Sequence, residues 1–255
     1  MLKKRIIPKI LIQEKLLDEK KIITSVLSKS FSNYYLIGDP ISQAKIFESQ
    51  LADELLLIDL DRKITDKTRL NFIEKLSKEV FMPLTVGGGI KSSSCISKLL
   101  NVGADKICIN SLLEINPTEV EIAVKRFGSQ CIVASLDIFL EKKNIYLFNS
   151  LKKEKKKIVL EEQLKKIENL GIGEILISDV KRDGTGDSFD KDLIRAIKNT
   201  QKVPLLISGG FGKASDFTEI LKDYNFSGVV TGTYLNKKDQ NLLQLRNHLL
   251  NAGLP

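Results

Sequence analysis

The sequence predicts an α/β fold of the (β/α)8 type, a TIM barrel closed from two similar half-barrels, with residues 1–255 forming one domain. Three observations carry this. Eight short β-branched runs alternate with eight amphipathic stretches, and 255 residues suit eight such units. The strand runs are apolar without interruption, as parallel strands covered on both faces must be. The chain also repeats itself. Pro83-Leu-Thr-Val-Gly-Gly-Gly-Ile90 returns as Pro204-Leu-Leu-Ile-Ser-Gly-Gly-Phe211, 121 residues later. Asp53-Glu-Leu-Leu-Leu-Ile-Asp59 answers Gly173-Glu-Ile-Leu-Ile-Ser-Asp179, and Lys106-Ile-Cys-Ile-Asn-Ser111 answers Gly228-Val-Val-Thr-Gly-Thr233. An open doubly wound sheet is the alternative, but a two-half repeat closing on itself favours the barrel.

In order, strands are expected at residues 6–12, 55–59, 84–86, 106–109, 131–138, 174–178, 205–208 and 229–231. Helices are expected at residues 41–49, 69–80, 93–101, 117–127, 160–170, 191–199, 214–223 and 242–251. Ile41, Ala44 and Phe47 keep the spacing of a one-sided helix. Pro117 suits a first helical turn, while Gly103 and Gly171 stand where helices should stop. Two connections, 13–37 and 141–157, are too long for plain turns. Both would leave the C-terminal face of a barrel, where active sites form. The first reads as a mobile lid or, equally, a disordered surface insertion.

Composition narrows the class. A 42% hydrophobic content supplies a sizeable core. Cys95, Cys108 and Cys131 lack paired spacing and read as buried thiols of a reduced compartment. The first apolar run is too short for a membrane span, so a soluble, cytoplasmic chain is expected. The net charge of +8 would suit nucleic acid. However, the lysines cluster locally, as in Lys152-Lys-Glu-Lys-Lys-Lys157, with little aromatic interleaving for base stacking. A solvated face with some attraction for phosphorylated metabolites fits better. No metal-ligand spacing or nucleotide fingerprint is present, so no metal or cofactor is expected. The lone His248 falls in the last helix, far from every strand end.

The repeated glycine turns carry the first functional signal. A strand that ends in glycines lets backbone N–H groups close on an anion. Two such turns on a pseudo-twofold would suit a substrate with a phosphate at each end. The bland reading is tight strand-to-helix turns without a ligand.

Nine motifs run collinearly along the chain: Arg5-Ile-Ile-Pro8, Gly38-Asp-Pro40, Ala52-Asp-Glu-Leu55, Leu84-Thr-Val-Gly-Gly-Gly-Ile90, Gly103-Ala-Asp-Lys-Ile107, Ile109-Asn-Ser111, Phe127-Gly-Ser-Gln130, Gly173-Glu-Ile-Leu176 and Arg182-Asp-Gly-Thr185. Together they resemble the cyclase subunit of imidazole glycerol phosphate synthase, a barrel enzyme of histidine biosynthesis. The resemblance implies a glutaminase partner in a heterodimer, which releases ammonia at the N-terminal face for passage through the barrel. It implies an entrance gate of four charges, matched here by Arg5, Glu54, Lys106 and Glu174, with Asp105 facing the partner. The alternative for these four is an ion-pair plug in the barrel floor. One family phosphate site is matched by Gly89, Asn110 and Ser111. The other is matched by Gly184, Gly210, Gly232 and Thr233, beside Asp183. An acid beside an anion would repel it, so Asp183 better suits a hydroxyl or ammonium of the substrate.

The acid–base pair departs from the family. Its second aspartate is present as Asp137, but the first-strand position is Leu11, which exchanges no proton. The family's first-loop lysine is also missing: its position falls near Leu27, with Lys20 or Lys21 as substitutes, and Asp59 is either a spare carboxylate or, equally, a structural one that orients a strand end. An intact gate beside impaired ring closure is similar to family paralogues found with sugar amidotransferases of surface-polysaccharide biosynthesis. There ammonia converts an acetamido group to an acetamidino group. The alternatives are an authentic cyclase subunit, making imidazole glycerol phosphate and AICAR from PRFAR and ammonia, and an inactive scaffold that activates the glutaminase.

Overall fold

The computed structural model describes residues 3–197, 202–224, 226–236 and 241–254. In chain order the strands are β1 (Arg5–Leu17), β2 (Lys20–Lys29), β3 (Asn33–Gly38), β4 (Leu55–Asp59), β5 (Leu84–Gly87), β6 (Lys106–Ile109), β7 (Ile132–Glu141), β8 (Asn144–Asn149), β9 (Glu154–Ile158), β10 (Glu174–Asp179), β11 (Leu205–Ser208) and β12 (Gly228–Thr231). The helices are α1 (Pro40–Ser49), α2 (Lys67–Glu79), α3 (Ser93–Asn101), α4 (Leu112–Ile115), α5 (Pro117–Phe127), α6 (Leu160–Asn169), α7 (Lys191–Ala196), α8 (Ala214–Asp223) and α9 (Leu242–Asn251).

Eight of the strands are parallel and close a barrel in the order β1, β4, β5, β6, β7, β10, β11, β12 and back to β1. Alternation along each strand divides the core into two layers. Ile6, Ile10, Ile12, Leu55, Leu57, Ile175 and Ile177 face outward into the helix layer. Ile7, Leu56, Cys108, Val133, Leu176, Leu206 and Val230 form a separate apolar cluster inside the barrel. Burying each large aliphatic side chain contributes about 1.5–3 kcal/mol, so both layers favour closure.

The repeat extends to backbone geometry. Gly88 and Gly89 have φ of 111° and 75°, and Gly209 and Gly210 have 112° and 77°. A Cβ on Gly88 would lie 2.3 Å from the Asp59 carbonyl oxygen, and one on Gly209 would lie 2.9 Å from that of Asp179. Positive φ and close approach both demand glycine here.

The two long connections are ordered. Residues 13–37 form neither a free lid nor a disordered insertion: β1 runs past the barrel and folds back as β2, which then pairs β3. Similarly, β7 runs on and returns as β8 and β9. The first strand of each half-barrel thus carries its own antiparallel extension. The extensions meet at Phe31 and Phe148, whose rings lie 6.4 Å apart edge to face. The Lys152–Lys157 cluster lies on the exposed turn and on β9, as a solvated face should.

Expected helices and observed ones agree closely, with two differences. A single-turn α4 follows Ser111, and α7 stops at Ala196 rather than 199; residues 198 and 199 lie outside the described residues.

Both extension turns lack the usual glycine or asparagine. Asp18 and Glu19 have φ of 46° and 64°, and Lys142 and Lys143 have 47° and 64°. A left-handed residue with a Cβ costs about 1–2 kcal/mol. Lys142→Asn with Lys143→Gly is therefore expected to raise the melting temperature by about 2–4 °C in a chain of this size. An unchanged or lower melting temperature would show that this turn carries no strain.

Candidate active site

Strand parity places the four charged residues expected at the entrance together at the bottom of the barrel. Arg5, Glu54, Lys106 and Glu174 stand at or just before the starts of β1, β4, β6 and β10, and all point inward. Arg5 Nη1 lies 3.2 Å from Glu54 Oε2, and its Nη2 donates to Glu174 Oε1. Lys106 Nζ lies 2.8 Å from Glu54 Oε2 and 3.2 Å from Glu174 Oε2. The ring is thereby closed: each cation touches both anions. Thr85 also donates to Glu54. Burial disfavours the Arg5 charge, but the Glu174 hydrogen bond and the fields of both glutamates outweigh it and raise its proton affinity. Asp105, the expected partner contact, is exposed on the same face, where its carboxylate accepts from the Leu84 N–H at 2.8 Å.

The apolar interior cluster lies above the ring. Its one polarisable member, Cys108, stays a thiol, because burial first and the Asp137 charge second push it up to about 12.

At the C-terminal end, polar side chains converge again. Asp137 is 8% exposed and accepts from Asn110 Nδ2 at 2.8 Å. Burial pushes its carboxyl up to about 7; Lys9 and the Asn110 hydrogen bond oppose that rise, and Asp183 reinforces it. Lys9 Nζ lies 2.9 Å from Asp183 Oδ1 and 3.5 Å from Ser208 Oγ. Ser28 on β2 donates to the other Asp183 oxygen, and the Ser30 N–H donates to the Asp183 carbonyl at 2.8 Å. The β2–β3 extension is thus docked on the loop after β10. A shallow, solvent-open depression beside β8 reaches Asn110 and Ser135.

Several expectations change in detail. Asp183 meets an ammonium and a hydroxyl of the chain itself, those of Lys9 and Ser28. Asn110, expected at a phosphate, holds Asp137. Lys20 and Lys21 cannot replace a site lysine: they lie at the far end of the β1–β2 extension, where Lys21 Nζ pairs with Glu14 at 3.2 Å. Asp59 faces the helix layer and has a structural role. It accepts from the Asp61 N–H at 3.1 Å and the Lys63 N–H at 2.8 Å, with the buried Arg69 3.4 Å away.

The remaining expected positions fall on two arcs. Gly89 and Ser111 follow β5 and β6, while Gly184, Gly210, Gly232 and Thr233 follow β10, β11 and β12. A Cβ on Gly184 would sit 1.9 Å from the Ser28 carbonyl oxygen, so this glycine is also needed for docking of the extension. His248 is exposed on α9. Among the described residues no group of His, Cys, Asp and Glu could hold a metal ion, and no helix is long and apolar enough to cross a membrane.

Lys9 was missed by the sequence reading, although a signal existed. It is the one charged residue inside the apolar run 6–12, two positions from Ile7 and four from Arg5, and therefore on the inward face.

Comparison with known proteins gives the family. The profile of the histidine biosynthesis protein family matches residues 5–241. The chain belongs to that family. A Prochlorococcus marinus (strain MIT 9313) protein named "Putative imidazole glycerol phosphate synthase subunit hisF2" is 37% identical over 259 positions, covering 100% of this chain and 98% of the relative. A Campylobacter jejuni protein of the same name is 38% identical over 224 positions, 87% of this chain and 85% of the relative. The imidazole glycerol phosphate synthase subunit HisF of Natranaerobius thermophilus is 32% identical over 257 positions, 100% of this chain and 98% of the relative. Its histidine-biosynthesis kinship and its barrel therefore stand together: the chain is a HisF-like subunit in family terms.

Proposed function

We propose that this chain is the ammonia-accepting synthase subunit of a two-subunit glutamine amidotransferase, in which a glutaminase partner docks on the N-terminal face. The observation that carries the reading is the closed four-charge ring beneath an apolar barrel interior. A floor serving only as a plug would be more stable if built from hydrophobic residues, because buried charges lose their hydration. A ring that must admit a small neutral molecule while excluding water and ions has a use for charges that can part. The same face exposes Phe81, at 88%, and Leu51, at 61%, in the loops leading to β5 and β4, and apolar surface of that kind suits a protein partner.

Ammonia would emerge at Asp137, the carboxylate placed to move a proton. The two arcs of strand ends would receive a phosphorylated small molecule or sugar. Leu11, inward by parity and 8% exposed, leaves the first-strand position without the carboxylate that ring closure uses in the family. That supports a diverged subunit which delivers ammonia for amidation of an acetamido sugar in surface-polysaccharide biosynthesis. The relatives named hisF2 share 37% and 38% identity, and those named HisF share 32%. The second reading, an authentic cyclase subunit of histidine biosynthesis, is favoured by full-length similarity to HisF and by the Asn110–Asp137 pair.

Leu11→Asp separates the two. In the diverged subunit the unmodified protein turns over the cyclase substrate poorly, and Leu11→Asp raises that rate by restoring a carboxylate opposite Asp137. Some stability is lost, because burying an unpaired charge costs several kcal/mol unless water reaches it. Efficient cyclisation by the unmodified protein would rule the diverged reading out in favour of the cyclase.

A further inference from the structure

Lys9 is a buried cation at the C-terminal end of the barrel, where two carboxylates, Asp137 and Asp183, are also buried. We propose that Lys9, fixed on Asp183, is a positioning residue that favours the ionised form of Asp137. The proposal rests on reading Asp137 as the proton-transfer group, and it assigns a role to a residue that the family resemblance does not single out.

Lys9 comes from the middle of β1, with 11% of its side chain exposed, and its ammonium is fixed 2.9 Å from Asp183 and 3.5 Å from Ser208. Asp137 is faced from every neighbouring element. From β6 come Asn110, which donates at 2.8 Å, and Cys108, a neutral thiol. From β10 comes Ser178, opposite Asp137 in register, with Asp183 in the loop beyond. Ser135 lies on the same face of β7, and β1 supplies Lys9 and Leu11. Lys9 is therefore the one cation among these groups, set against two carboxylates. Without it, two buried like charges would share a site and one would stay protonated. The ordering of influences on Asp137 agrees: burial and Asp183 favour the protonated form, and Lys9 is the largest opposing influence. A first strand with Lys9 and Leu11 thus offers one buried carboxyl whose ionised form a fixed cation favours, in place of two carboxylates exchanging a proton.

The test needs neither substrate nor partner. The 13C shift of the Asp137 side-chain carboxyl is followed against pH in the purified chain, the signal being assigned by its disappearance in Asp137→Asn. The wild type should titrate near neutrality. Lys9→Met should move the midpoint up by about one unit or more, a tenfold gain in proton affinity, and Lys9→Arg should leave it near the wild-type value. Asp183→Asn removes the competing carboxylate and keeps Lys9, so its midpoint should fall; this variant decides the matter should Lys9→Met not fold. A Lys9→Met midpoint equal to the wild type, or an Asp183→Asn midpoint that stays or rises, overturns the proposal. Because no turnover is measured, this result is separate from the kinetic test of Asp137. A normal titration shift with an unaffected rate in Asp137→Asn would sink the proposed function and leave the control by Lys9 standing.

Discussion

Asp137→Asn is expected to abolish ammonia-dependent turnover while leaving the protein folded. Loss of a positioned proton-transfer group costs about 10²–10⁴-fold in rate. Asparagine keeps the shape and offers its own oxygen to Asn110 Nδ2. The stability effect has a definite sign. The folded carboxyl titrates at about 7, above its ordinary range, so the folded state holds a proton that the unfolded chain has released. Stability attributable to this group is therefore present at acid pH and is lost as pH rises from about 4 to about 7. Asparagine carries no such penalty. Asp137→Asn should melt no lower than the wild type at pH 8, and the difference should shift in favour of the wild type toward pH 4. Retained turnover with the true acceptor would remove Asp137 from the mechanism, whereas a variant that fails to fold at pH 8 would contradict its placement as a desolvated carboxylate.

The second large effect is expected at the gate, and it does not depend on the acceptor. Lys106→Ala leaves Glu54 and Glu174 with Arg5 as their shared cation and opens the floor to water. Glutamine hydrolysis and product formation should separate, so that glutamate is released in excess of product when the purified glutaminase is present. Activity with ammonium salts should survive, since that ammonia reaches the Asp137 end without crossing the ring. A stability loss accompanies the change; removing one partner of a fully buried pair costs about 3–5 kcal/mol, and less here because Lys106 keeps 22% of its side chain exposed. A glutamate-to-product ratio that stays near one, or a chain that binds no glutaminase, would reduce the ring to a structural plug.

The barrel strands and most of the helices were legible in the sequence because each depends on local pattern. Continuous apolar runs can only be buried on both faces, and the glycines at 88, 89, 209 and 210 announce turns that no other residue makes easily. The repeat in sequence then implied the closed barrel, and Arg5, Glu54, Lys106 and Glu174 each mark the start of a strand. Three things depended on contacts between distant residues. The extensions of β1 and β7 turn through Asp18-Glu19 and Lys142-Lys143, where charged residues occupy conformations that usually signal glycine or asparagine, so no local signal named them. Lys9 could be placed inside the barrel by strand alternation, but its importance appears only once Asp183 and Ser28, 174 and 155 residues apart from their partners in sequence, close around it. Asp59 looked like Asp137 in sequence, a carboxylate at a strand end; one residue of parity turns it toward Arg69 and the helices, while Asp137 faces the barrel. The sequence by itself determined which residues are strand, turn and charge; the tertiary structure decided which charges meet, because a barrel brings side chains of the same parity together regardless of their separation along the chain.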